Sequence, residues 1–133
     1  MTDIIPNFAA VTDRYDAAFV DLWGCVHNGI TAFPDAIAAL QAFRANGGRV
    51  VLVTNAPRPR HSVAAQIARM NVPDDARDTI ATSGDSARLA MFQGAVGEKI
   101  YHIGEAHDAP FFEPLKMLTD PVTITKVPLE QAE

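Results

Sequence analysis

Two polar residues close two apolar stretches of this chain. Ala17-Ala18-Phe19-Val20 runs into Asp21, and Val50-Val51-Leu52-Val53 runs into Thr54. Each stretch is continuous rather than alternating, the pattern of a strand buried on both faces of a parallel sheet. As parallel neighbours, the two strands would bring Asp21 and Thr54 out at one edge. That edge is where open α/β sheets keep their ligands. A carboxylate there is costly unless a cation or hydrogen-bond donors compensate it. Asp21 is therefore a candidate nucleophile or metal ligand, and the plainer alternative is a turn or capping aspartate. Thr54 offers a hydroxyl, Asn55 an amide, and the Trp23-Gly24 turn its backbone N–H groups. Such a set can cradle an anion around a nucleophile. A carboxylate can accept a phosphoryl group as an aspartyl-phosphate. Two anions need help to approach, so a divalent cation is implied, and hard oxygen donors favour Mg2+.

The elements that position these residues follow in order. Residues 1–15 are a polar-mixed lead-in, helix or arm. The first strand covers 17–22, and a loop with an Asn28-Gly29 pair runs to Phe33. A helix starts at Pro34-Asp35, with proline suited to the first turn and aspartate to the dipole. Ile37, Leu40 and Phe43 mark its inner face, and Asn46-Gly47-Gly48 stops it. The second strand, 49–54, breaks at Asn55-Ala56-Pro57-Arg58-Pro59-Arg60, because proline cannot donate to a ladder. A helix over 61–71 carries Val63, Ile67 and Met70 on one side, and Val72-Pro73 ends it. A third strand is expected at 79–83, a helix at 85–93 with Gly84-Asp85 as its cap, and a fourth strand at 99–104. A helix at 106–118 and a fifth strand at 122–127 complete the pattern. Strand–helix alternation specifies a right-handed parallel α/β fold. Gly94-Ala95-Val96-Gly97 is the expected boundary between a core, 1–96, and a second region, 97–133.

Bulk composition narrows the partners. A chain of 133 residues, 48% apolar and 20% charged, can bury a core and is not disordered. Its net charge of −5 comes without a basic stripe, which argues against nucleic acid. A single cysteine, Cys25, excludes an internal disulfide framework and a cysteine-rich zinc site. No leader pattern opens the sequence, and no uncharged apolar run approaches membrane length. The expectation is a soluble cytoplasmic protein acting on a small phosphorylated metabolite, with no membrane partner.

Asp21-Leu22-Trp23-Gly24-Cys25-Val26-His27-Asn28-Gly29 resembles the first motif of the haloacid dehalogenase superfamily. Val53-Thr54-Asn55 resembles its second motif. With Ile80-Ala81-Thr82-Ser83-Gly84, they are similar to the class IIA branch of NagD and nitrophenylphosphatase type. The resemblance runs to about Gly104. It implies a three-layer doubly wound parallel sheet, a Rossmann-like core, with the start of an inserted α/β cap. It implies a phosphatase in which Asp21 is the nucleophile and an Mg2+ ligand. The backbone carbonyl of Trp23 would be a second metal ligand. Thr54, Asn55 and the amides of Trp23 and Gly24 would hold the phosphoryl oxygens.

Two departures qualify that expectation. The family motif places an aspartate, the general acid and base, two residues after the nucleophile, and here Trp23 stands there. Indole cannot transfer the proton, and such catalysis contributes about 10²–10⁴-fold. His27 is the nearest substitute, or else a loop histidine bonded to backbone. The second departure is that no Gly-Asp-x-x-x-Asp segment is present, and Lys99 and Lys116 lie in the wrong context for a catalytic lysine. This chain is therefore expected to be weak or inactive alone, with one sheet edge open to a missing segment or to self-association. The competing reading is a non-catalytic phosphate-binding or assembly module on the same fold. Of the remaining residues, His61 and His102 read as ordinary histidines, Arg58 and Arg60 as phosphate contacts or solvated loop, Phe111-Phe112 as core, and Cys25 as a buried packing residue.

Overall fold

The computed structural model describes residues 4–133. They form two compact units: residues up to Thr54 with His61–Ala81, and Asn55–Arg60 with Thr82–Glu133. The expected boundary at Gly94–Gly97 lies inside the second unit.

The first unit contains a parallel sheet with flanking helices, as the strand–helix alternation implied. Strands β1 (Ala17–Asp21), β2 (Arg49–Thr54) and β3 (Thr79–Thr82) lie in that spatial order. β1 and β2 are parallel, in a register from Ala17↔Arg49 to Asp21↔Val53. Helix α1 (Pro34–Ala45) begins on its proline and buries Ile37, Leu40 and Phe43. It ends in a Schellman motif. Gly47 N–H donates to the Arg44 carbonyl at 2.9 Å and Gly48 N–H to the Phe43 carbonyl at 3.0 Å. Gly47 has φ +92, and a Cβ at Gly48 would lie 2.5 Å from the Phe43 ring. Neither position admits a larger residue without strain. Helix α2 (Arg60–Arg69) buries Val63 and Ile67. Asn71, at φ 65, turns the chain out of it one residue before the expected Val72-Pro73 stop. Asparagine is one of the few side chains that tolerate this left-handed position.

Asp78 stitches the unit together. Its carboxylate accepts from the Val50 N–H at 2.7 Å and from Arg44 and Arg49, each at 3.1 Å. The Val50 hydrogen bond first, then Arg44, draws its pKa down to about 2. One carboxylate thus links the C-terminal part of α1, β2 and the turn into β3.

One expectation needs correction. The strands of a parallel sheet were expected to be buried on both faces, yet only one face is. Val50 and Leu52 are fully covered, and Ile80 is 5% exposed. On the other face Phe19 is 77% exposed and Val53 38%. The ladder sets Phe19 beside Val51, and Asp21 beside Val53. Side chains alternate along a strand, so Phe19 and Asp21 share the bare face.

In the second unit, α3 (Ser83–Phe92) follows directly from β3. Its cap is Thr82, whose hydroxyl accepts the Asp85 N–H at 2.9 Å, and not Gly84-Asp85. β4 (Lys99–Ile100) and β5 (Thr125–Lys126) form a two-residue parallel ladder. Both are shorter than expected. Residues 106–112 form a 3₁₀ helix with Pro110 inside it, where a longer α-helix was expected. Proline has no N–H to donate and clashes with the preceding turn, which limits the helix to a short segment.

Candidate active site

The loop after β1 is built from its own hydrogen bonds. Leu22 and Val26 are buried and anchor it. The Leu22 carbonyl accepts from Val26 at 2.9 Å and from His27 at 3.1 Å, and Gly24 N–H donates to the His27 carbonyl at 2.8 Å. Gly24 needs its φ of +81 to make this turn. Asn28 closes the next turn by accepting from the amides of Ile30 and Thr31, both at 2.9 Å. Ala32 N–H donates to the Met70 carbonyl at 2.9 Å, tying the loop to the C-terminal side of α2. The result is a fixed turn at the mouth of β1 rather than a loose connection.

Asp21 is exposed at that mouth, and one of its oxygens accepts the Leu22 N–H at 2.8 Å. The register places Thr54 one residue past the last ladder pair, Asp21↔Val53. Both therefore emerge at the C-terminal edge of adjacent parallel strands. Thr54 is half-buried. Asn55, the next residue, is exposed and opens the loop of the second unit.

Trp23 is 65% exposed, and its ring lies over Gly29, where a Cβ would come within 2.7 Å of it. Its backbone carbonyl and the Asp21 carboxylate are both hard oxygen donors, two residues apart. Among the described residues no group of three or more His, Cys, Asp and Glu could close a cage around a metal. Two hard oxygens of this kind fit the donors that Mg2+ takes from a protein while keeping waters and substrate phosphate in its shell. The Gly24 N–H already serves the His27 carbonyl, so an anion would have to share it.

His27 is buried, 7% exposed, and its Nδ1 accepts the Gly29 N–H at 3.0 Å. That bond needs the Nδ1 lone pair, so the neutral ring carries its proton on Nε2. His27 is the backbone-bonded loop histidine of the two readings the sequence left open. Cys25 is exposed, not buried, although its neighbours Leu22 and Val26 in the same turn are covered. Phe111 and Phe112 are half-buried, meeting edge-on at 5.3 Å, rather than deep core.

Arg60 Nε donates to the Asp85 carboxylate at 2.6 Å. Asp85 also receives Arg88 at 2.8 Å, and Arg88 Nε donates to the Phe111 carbonyl at 3.0 Å. Burial would raise the Asp85 pKa, but the hydrogen bonds from Arg60 and Arg88 outweigh it and hold the carboxyl below its ordinary range. The loop after Thr54 is clamped by the same helix start. Ser83 Oγ donates to the carbonyls of Asn55 at 2.8 Å and Ala56 at 3.0 Å, and Gly84 N–H donates to Ala56 at 3.1 Å. Sequence reasoning missed this clamp, although Thr82-Ser83-Gly84-Asp85 carries the start pattern of a capped helix.

Asp21 and Thr54 thus close adjacent strands of a parallel α/β sheet. The chain belongs to the haloacid dehalogenase-like hydrolase family, whose model matches residues 18–116. A solved structure described as a hydrolase of the haloacid dehalogenase-like family from Brucella suis 1330 is similar, at 42% identity and a TM-score of 0.82. The similarity covers 97% of this chain and 46% of that one, so the chain spans about half the length of its relative. No curated protein matches the chain.

Proposed function

We propose that this chain carries the nucleophile half of a phosphoric monoester hydrolase. The substrate would be a small phosphorylated metabolite such as a sugar phosphate or nucleotide, and the subtype the class IIA branch. The observation that carries this reading is the parallel β1–β2 register, which delivers Asp21 and Thr54 to one sheet edge. An Asp21 oxygen attacks phosphorus, and the bond from phosphorus to the ester oxygen breaks. The ester oxygen leaves as an alkoxide and takes a proton from solvent, because the indole at position 23 is far too weak an acid to supply one. Water then attacks the phosphorus of the acyl phosphate, releasing inorganic phosphate and restoring the Asp21 carboxylate. Mg2+ held by Asp21 and the Trp23 carbonyl would offset charge between the two anions. The Thr54 hydroxyl and the Asn55 amide would donate to the phosphoryl oxygens.

Trp23 at the acid position also favours a second reading, phosphate binding without turnover. A chimera in which this chain replaces the matched part of the Brucella suis hydrolase separates them. Beryllium fluoride with Mg2+ mimics the aspartyl-phosphate and should raise its melting temperature, with the rise lost in Asp21→Asn. Turnover of aryl and acyl phosphates ahead of alkyl phosphates is expected, since good leaving groups need less protonation. Stabilisation without turnover of any ester would establish the binding module. A rise that survives Asp21→Asn would remove Asp21 from the site altogether.

A further inference from the structure

Trp23 is the chain's single tryptophan, and its indole is 65% exposed in the turn that follows Asp21. Although exposed, the ring is held. Its six-membered ring rests on Gly29, where an added Cβ would lie 2.7 Å from Cζ3 and 3.2 Å from Cη2. The His27 ring stands 6.1 Å away, inclined at 50°. The bonds that shape the turn also fix this support. Gly24 N–H donates to the His27 carbonyl at 2.8 Å, and the Gly29 N–H donates to His27 Nδ1 at 3.0 Å. Two residues of backbone span at most about 7 Å. The indole therefore stands within a small molecule's length of anything carried on the Asp21 carboxylate. A ring that is already seated loses little side-chain freedom when a ligand covers it. Aromatic pairs gain from ring geometry beyond the area they bury, and a saturated ring gains from the area alone.

We propose that Trp23 is a specificity-determining residue, an aromatic platform that stacks on a flat ring carried close to the ester oxygen. The site would then prefer an aryl or arylmethyl phosphate to a saturated phosphate ester of equal charge and size. The inference rests on Asp21 and Thr54 holding the phosphoryl group, and gives the indole side chain a part in binding the leaving group.

The test compares benzylphosphonate with cyclohexylmethylphosphonate. The two carry the same charge, resist hydrolysis and differ in the flatness of the ring. The saturated ring is the more apolar, so burial alone would favour it. Titrated with Mg2+ into the 133-residue chain, benzylphosphonate should bind about two- to tenfold more tightly. It should also change the emission of Trp23, which no other tryptophan obscures. Trp23→Phe should keep most of the preference, and Trp23→Leu, apolar but not flat, should erase it. Circular dichroism confirms that both variants fold. Equal affinity for the two phosphonates, or a preference that survives Trp23→Leu, would overturn the proposal. Binding of neither phosphonate would overturn it too. Beryllium fluoride with Mg2+ probes Asp21 without any ring, so its stabilisation of the chain decides whether the phosphoryl reading falls as well.

Discussion

Replacing Gly84 with alanine sets two effects of opposite sign against each other. Gly84 is the second residue of α3. Inside a helix, alanine is ordinarily better than glycine by roughly 0.5–1 kcal/mol. At this position, however, a Cβ would lie 2.5 Å from the Arg58 nitrogen and 2.6 Å from its carbonyl carbon. These are backbone atoms of the loop after Thr54, so no side chain can swing away. Restoring ordinary contact needs a shift of about 0.9 Å, from 2.5 to 3.4 Å, in a loop held by Ser83 and Gly84. Overpacking of this kind costs about 1–3 kcal/mol. The steric effect wins, and the net loss is about 1–2 kcal/mol, or roughly 3–10 °C in melting temperature for a chain of this size. Thermal unfolding followed by circular dichroism measures it. Ala87→Gly, at an exposed position of the same helix, is the control and should lose about 0.5–1 kcal/mol through helix preference alone. A Gly84→Ala protein that melts at or above the parent temperature would refute the reasoning.

Two further outcomes follow from single interactions. Asp78 is drawn from 3.8 to about 2 in the folded chain, so its stabilisation is complete above pH 3.8 and fades as pH falls towards 2. Urea midpoints should decline over that window, and Asp78→Asn should lower the midpoint at neutral pH while flattening the acid decline; an unchanged acid limb would contradict the assignment. Thr82→Val removes the hydroxyl that caps α3 and should cost about 1 kcal/mol, whereas Thr82→Ser should restore most of it. Equal stability of the valine and serine variants would show that the cap is immaterial.

Much of the frame was legible in the sequence. Ile37, Leu40 and Phe43 recur at helical spacing, and all three are buried in α1. Asn46-Gly47-Gly48 stops the helix through the left-handed turn that Gly47 permits. Asp21 and Thr54 were placed at one edge by strand logic alone, and the register bears out that placement. Pairing between distant charges was not legible. Arg60 meets Asp85, 25 residues away, and nothing local distinguishes it from a solvated loop arginine. Likewise, His27 was left between two roles until its Nδ1 was found on the Gly29 amide.

The apolar runs at 17–20 and 50–53 determined that both strands belong in a parallel sheet, because side chains on either face must leave water. They did not say what would cover each face, since burial is a relation between segments and a run of valines carries no address. Only the folded chain separated Leu52, sealed under its own helices, from Phe19, still open to solvent beside Asp21. That difference is tertiary in origin: the packing of the helices decides which side of the sheet is sealed and which stays open to solvent.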